Sequence, residues 1–117
     1  MKHFRIEEFD SPDAPGSGAK MDAHFLELLD AMREEAGIPF HINSGYRTKE
    51  HNMKVGGGPN SAHIRGMAAD ISATSGREKY LILRTAIIQG IRRFGVGKNF
   101  VHVDIDATLP EPTMWLY

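Results

Sequence analysis

No cysteine occurs in the 117 residues of this chain, which removes disulfides, thiolate metal sites and cysteine nucleophiles together. Any tightly held metal must be bound by imidazole and carboxylate. A large charge of one sign is missing too: 14 Lys and Arg against 15 Asp and Glu leave a formal net charge of -1. The chain therefore has no positive field for a phosphate backbone, Arg92-Arg93 is too short a run to supply one, and no nucleic-acid partner is expected. No apolar run approaches the roughly 20 residues that span a bilayer, so no membrane insertion is expected. Glu7, Glu8 and Asp10 stand where a signal peptide needs an apolar stretch, and no export signal is expected either.

What is present is the balance of a folded chain, 41% hydrophobic and 25% charged, in a length that fits one domain over 1–117. Phe4, Ile6 and Phe9 can anchor a short N-terminal segment, followed by an irregular loop over Asp10–Gly18, where turn formers concentrate. Phe25, Leu28, Leu29, Met32 and Ala36 recur at helical spacing between a possible cap at Asp22 and a stop at Gly37, which predicts a helix over 22–36. Phe40–Ser44 alternates as a short strand, Thr48–Met53 suits a helical turn, and Met67–Ile71 a strand of small residues. Ser75-Gly76-Arg77-Glu78 has the form of a capping box and opens a helix running to about Arg93, with Tyr80, Leu83, Ile87 and Ile91 as its apolar stripe. Phe94–Val96 and Phe100–Ile105 read as a hairpin joined by Gly97-Lys98-Asn99. This order predicts an α+β fold with a small, largely antiparallel sheet flanked by helices.

The hairpin's second strand carries the chemistry. Alternation puts Val101, Val103 and Ile105 on one face and His102 and Asp104 together on the other. Asp70 lies in another short strand between apolar neighbours, and His63 precedes it by seven residues across a turn containing Gly66. Two histidines and one carboxylate form a three-ligand set for catalytic zinc that leaves the fourth position to water. With six histidines in the chain, spacing alone leaves a structural histidine as the competing reading.

Ser61-Ala62-His63-Ile64-Arg65-Gly66-Met67-Ala68-Ala69-Asp70 resembles the S-x-H-x-x-G-x-A-x-D pattern of the zinc D-Ala-D-Ala carboxypeptidases and related murein peptidases, whose fold is Hedgehog/DD-peptidase-like. Ser44-Gly45-Tyr46-Arg47 resembles that family's upstream S-G-x-R segment, and Phe100-Val101-His102-Val103-Asp104 its late ligand-bearing strand. The three run in family order over residues 44–104, and the small size and final H-V-D are similar to the subgroup of phage and bacterial wall enzymes. The resemblance implies that His63, Asp70 and His102 bind Zn2+, that Arg47 stands near a peptidoglycan peptide substrate, and that Ser61 braces the loop or orients His63. Gly66 is explained by backbone geometry in its turn.

Several relatives have an acid three positions before the third ligand as general base; here that position is Asn99, which cannot take a proton. Asp104 is the nearest candidate for the base, with His41, His51 and Glu50 as alternatives, while His3 and His24 have no supporting pattern. Trp115 could line a groove, although packing of the tail is its expected use. The implied activity is zinc-dependent hydrolysis of stem peptides, as a D-Ala-D-Ala carboxypeptidase or a murein endopeptidase of endolysin type. A zinc-binding wall module or phage structural component without turnover, and a metal-free globular domain, are the competing expectations. The substrate implies action in the periplasm or cell wall, by holin release or carriage in a virion if phage-encoded.

Overall fold

The computed structural model describes residues 1–117. Two 3-10 turns, Ile6–Phe9 and Ser17–Lys20, lead into helix α1 (Ala23–Ala36). Asp22 caps α1 by accepting from the Phe25 amide, and Gly37 ends it at φ 68°. Strand β1 (Ile42–Ser44), helix α2 (Lys49–Lys54), strand β2 (Ala68–Ser72), helix α3 (Gly76–Ile88) and strands β3 (Arg93–Val96), β4 (Phe100–Asp104) and β5 (Thr113–Leu116) complete the order. The sheet runs β1-β2-β4-β3-β5. Its first three pairings are antiparallel, as the α+β expectation requires, and β5 lies parallel to β3.

The predicted elements appear within a few residues of their expected ends. The helix opened by Ser75 differs: it stops at Ile88, Gly90 takes φ 84°, and Arg93 begins a strand. Its stripe also differs, because Tyr80 and Ile87 face solvent while Ile82, Thr85 and Ala86 are buried. Thr85 reads as polar in the sequence but donates its hydroxyl to the Leu81 carbonyl at 2.7 Å, so the side chain is buried with its hydrogen bond made. The tail packs against the domain as a strand, β5, which the sequence reading did not include; its pairing with β3 spans Arg93–Val96 and Thr113–Leu116.

One face of the sheet is apolar: Ala69, Ile71, Val101 and Val103 pack against Phe25, Leu29, Met32, Ile82 and Ala86 in a single core. Pleating sends the alternate residues to the other face. There the registers align two rows across the strands. Asp70, His102, Gly95 and Trp115 form one row, and Ala68, Asp104, Arg93 and Thr113 the next. No helix is long and apolar enough to cross a membrane.

Candidate metal centre

His63 reaches the polar face from the loop between α2 and β2. That loop turns at Gly66, φ 71°, where a Cβ would run into the backbone of Lys20 and Met21, so glycine is required twice over. The Gly66 carbonyl accepts from the Asp22 amide, tying the turn to the cap of α1. Ser61 Oγ accepts from the His63 amide at 3.3 Å, so Ser61 braces the backbone. The ring itself is oriented by Gly45, whose carbonyl lies 2.8 Å from His63 Nδ1. Gly45 packs directly on Phe9, where a Cβ would collide.

With Nδ1 donating to a carbonyl, His63 turns Nε2 into the cleft as an acceptor, 3.4 Å from Asp70 Oδ1. His102 Nδ1 lies 2.9 Å from the same oxygen. One atom from each of His63, Asp70 and His102 falls within 4.8 Å of the others, a group that can hold a metal ion. Each donor is fixed from behind. His102 Nε2 donates to Asp104 Oδ2 at 2.7 Å, and Arg47 Nη2 donates to Asp70 Oδ2 at 3.2 Å. Imidazole backed by carbonyl or carboxylate is the support that metal-binding histidines need. The zinc expected from the sequence fits this donor set of two imidazole nitrogens and one carboxylate oxygen.

The charges respond to one another. Burial pushes His63 toward its neutral form and outweighs the pull of Asp70, leaving its pKa below the ordinary imidazole value. Burial acts the same way on His102, but Asp104 and Asp70 on its two nitrogens win and raise its pKa. For Asp70, burial opposes ionisation, yet hydrogen bonds from His102 and His63 hold it far below the carboxylate range.

A cleft of about 420 Å³ opens over this group, lined by Arg47, His63, Asp70, His102 and Asp104 together with Arg93, Trp115, Tyr117 and the Val55–Gly58 loop. All five residues singled out in the sequence therefore share one cleft. His41, His51, Glu50 and Asn99 do not line it; Glu50 and His51 border a separate depression with Asp13. Asp104 is only 1% exposed, and both of its oxygens are engaged: Oδ1 with Arg93 Nε at 2.7 Å and the Asp106 amide at 3.1 Å, Oδ2 with His102. Arg47 likewise has a protein partner on each nitrogen: Ser44 Oγ, Asn52 Oδ1 and Asp70 Oδ2.

Arg93 and Asn52 escaped the sequence reading. Arg93 was legible only as half of a dibasic pair, although its period-2 relation to Gly95, with Phe94 turned to the core between them, marks the polar face once the strand is known. Asn52 is 3% exposed, accepts from Arg47 and donates Nδ2 to the Gly58 carbonyl at 2.9 Å, joining the arginine to the glycine loop. Trp115 both packs the tail and lines the cleft, its ring 5.4 Å from that of His102.

The polar face of this α+β sheet thus carries a group able to hold a metal ion, and comparison with known proteins supplies the family. Residues 2–104 match peptidase M15, and the chain belongs to that family. Over 82 residues it is 34% identical to the zinc D-Ala-D-Ala carboxypeptidase of Streptomyces albus G, covering 62% of this chain and 32% of that protein. The chain thus spans about a third of that relative's length.

Proposed function

We propose that this chain is a zinc-dependent peptidase that hydrolyses peptide bonds in peptidoglycan stem peptides, with His63, Asp70 and His102 as the metal ligands. The observation that carries the reading is the convergence of three donors on one point of a cleft, each with its own supporting partner. Bound there, zinc supplies a Lewis acid for the scissile carbonyl and lowers the pKa of water at its open position.

The protein's own groups do the rest. Asp104 acts as a positioning residue: it holds the Nε2 proton of His102 and so keeps Nδ1 free to coordinate. Its two engaged oxygens support that role over proton abstraction, which revises the base assignment expected from the sequence. Arg47 fixes Asp70 and adds positive charge beside the carbonyl oxygen as charge develops on it. Trp115 and Tyr117 supply aromatic lining and the Val55–Gly58 loop supplies backbone lining to the cleft, giving an extended peptide a bed. Such a substrate places the site of action at the cell wall.

One observation favours a second reading, a wall-binding module without turnover: Asp70 and Asp104, the carboxylates lining the cleft, both have protein partners, leaving neither as a free base. Digestion of purified muropeptides by the zinc-loaded protein, with His63→Ala beside it, separates the two. The peptidase reading expects release of cleaved peptide by the wild type and none by the variant. Stoichiometric zinc and muropeptide binding without cleavage across pH would establish the module instead.

A further inference from the structure

Arg93 is 9% exposed and lines the cleft, yet it is not a metal ligand. Three contacts immobilise its guanidinium. Nε donates to Asp104 Oδ1 at 2.7 Å, Nη1 donates to the Pro110 carbonyl, and the Trp115 ring lies against its face with 5.0 Å to the centroid. Nη2 has no hydrogen bond within the protein. Because no fully buried side-chain nitrogen or oxygen is left unpaired, Nη2 must reach solvent, and Arg93 is a residue of the cleft wall.

A rigid, largely desolvated guanidinium with one unused edge is suited to a carboxylate. Arg47 is less suited, since each of its nitrogens already has a protein partner. The sheet sets the spacing. Arg93 faces Asp104 across β3 and β4, and Gly95, two residues on, faces the ligand His102. Rows two residues apart on one face are separated by about 6 to 7 Å. Both rows line the same cleft, so a substrate whose scissile carbonyl lies at the ligand row can extend its terminal residue toward the arginine row.

We infer that Arg93 Nη2 anchors the free carboxylate of the residue that follows the scissile bond. This rests on the peptidase reading above and narrows it, because an anchor at that place selects a carboxypeptidase substrate over an internal bond. Water adds to the penultimate carbonyl and, as the C–N bond breaks, one of its protons passes to the amide nitrogen: the shortened stem peptide keeps the water oxygen as a new carboxyl group, and the last residue leaves as a free amino acid whose own carboxylate is still held by Arg93. Asp104 balances the Arg93 charge in the empty site, so the arginine can wait in a buried place without a substrate.

The test compares two peptides of one stem sequence, one ending in the free carboxylate of D-alanine and the other in its carboxamide, with the zinc-loaded wild type. The expected preference for the acid is about 10- to 100-fold in kcat/KM, the range for a hydrogen bond to a charged group. Arg93→Gln should bring the ratio close to one, and Arg93→Lys should keep part of it. Because Arg93 also pairs with Asp104, the ratio and not the absolute rate is the readout. A wild type that cleaves acid and amide equally, or an Arg93→Gln variant that keeps the full preference, overturns the assignment. A second measurement is independent of turnover: N-acetyl-D-alanine added to metal-free protein should shift the Trp115 indole N–H resonance, while its amide should not. If zinc-loaded protein cleaves no wall peptide at all, the peptidase reading fails. The indole shift then still decides the anchor, supporting it if only the acid acts and overturning it if neither or both do.

Discussion

The indole of Trp115 occupies the space that any side chain on Gly95 would need, and that is how a residue two strands away comes to lie against the His102 ring. Gly95 pairs with His102 on one side and with Trp115 on the other, so the missing side chain lets the third member of the row reach the first. Gly95→Ala should therefore push the indole outward. The expected cost is about 1–3 kcal/mol of stability, the range for overpacking a close contact, read as a lowered melting temperature with altered near-UV dichroism. Unchanged dichroism and melting would mean that the indole does not depend on the glycine.

Trp115 is the chain's one tryptophan, which makes its fluorescence a reporter of the site. Zinc added to metal-free protein should change the emission in a saturable way, ending at one equivalent, since His102 abuts the ring. His63→Ala leaves the indole in place and should abolish that response by removing a ligand.

The Asp104–Arg93 ion pair is buried, with side chains 1% and 11% exposed, and it should behave asymmetrically. Asp104→Ala leaves a buried guanidinium without its partner and should cost about 3–5 kcal/mol. Asp104→Asn keeps the shape but weakens the hold on His102, and should lower zinc affinity by about 10- to 100-fold, measured by competition with a chelator. Equal zinc affinity in Asp104→Asn would remove Asp104 from its positioning role.

Most of this site was legible as pattern, and the rest was hidden for identifiable reasons. Alternation in Val101–Asp104 suffices to put His102 and Asp104 on one face, and the capping pattern at Ser75 marks the start of α3. The end of α3 was obscured because Ile87, Ile88 and Ile91 continue an apolar stripe past the left-handed turn at Gly90. Strand β5 follows a proline-rich segment and alternates weakly; its place comes from pairing with β3, a nonlocal interaction that no window of sequence contains. With the helix expected to run to about Arg93, the start of β3 and the cleft-facing role of Arg93 were hidden; Trp115 could be read as lining a groove, but not as the strand residue that does so.

Acid should destabilise the Asp106–Leu109 turn, whose Leu109 lines the cleft, through Asp106. Burial raises its pKa, but hydrogen bonds from Thr108 and Arg65 outweigh that and hold it below the usual carboxylate value; Arg65 Nε lies 2.6 Å from Oδ2. A depressed folded pKa means the stabilisation is complete above the unfolded value near 3.8 and is lost as pH falls through the folded one. Below about pH 4 the melting temperature of the wild type should fall more steeply than that of Asp106→Asn, which lacks this proton uptake. Parallel acid limbs would show that Asp106 is not stabilised by its partners.

X-ray absorption at the zinc edge of the stoichiometrically loaded protein addresses the metal centre most directly. Coordination by His63, Asp70 and His102 predicts nitrogen and oxygen ligands at about 2.0–2.2 Å, outer-shell scattering from two imidazoles, and loss of one imidazole in His63→Ala. A wild-type spectrum with one imidazole or none, or a spectrum that His63→Ala leaves unchanged, would contradict it.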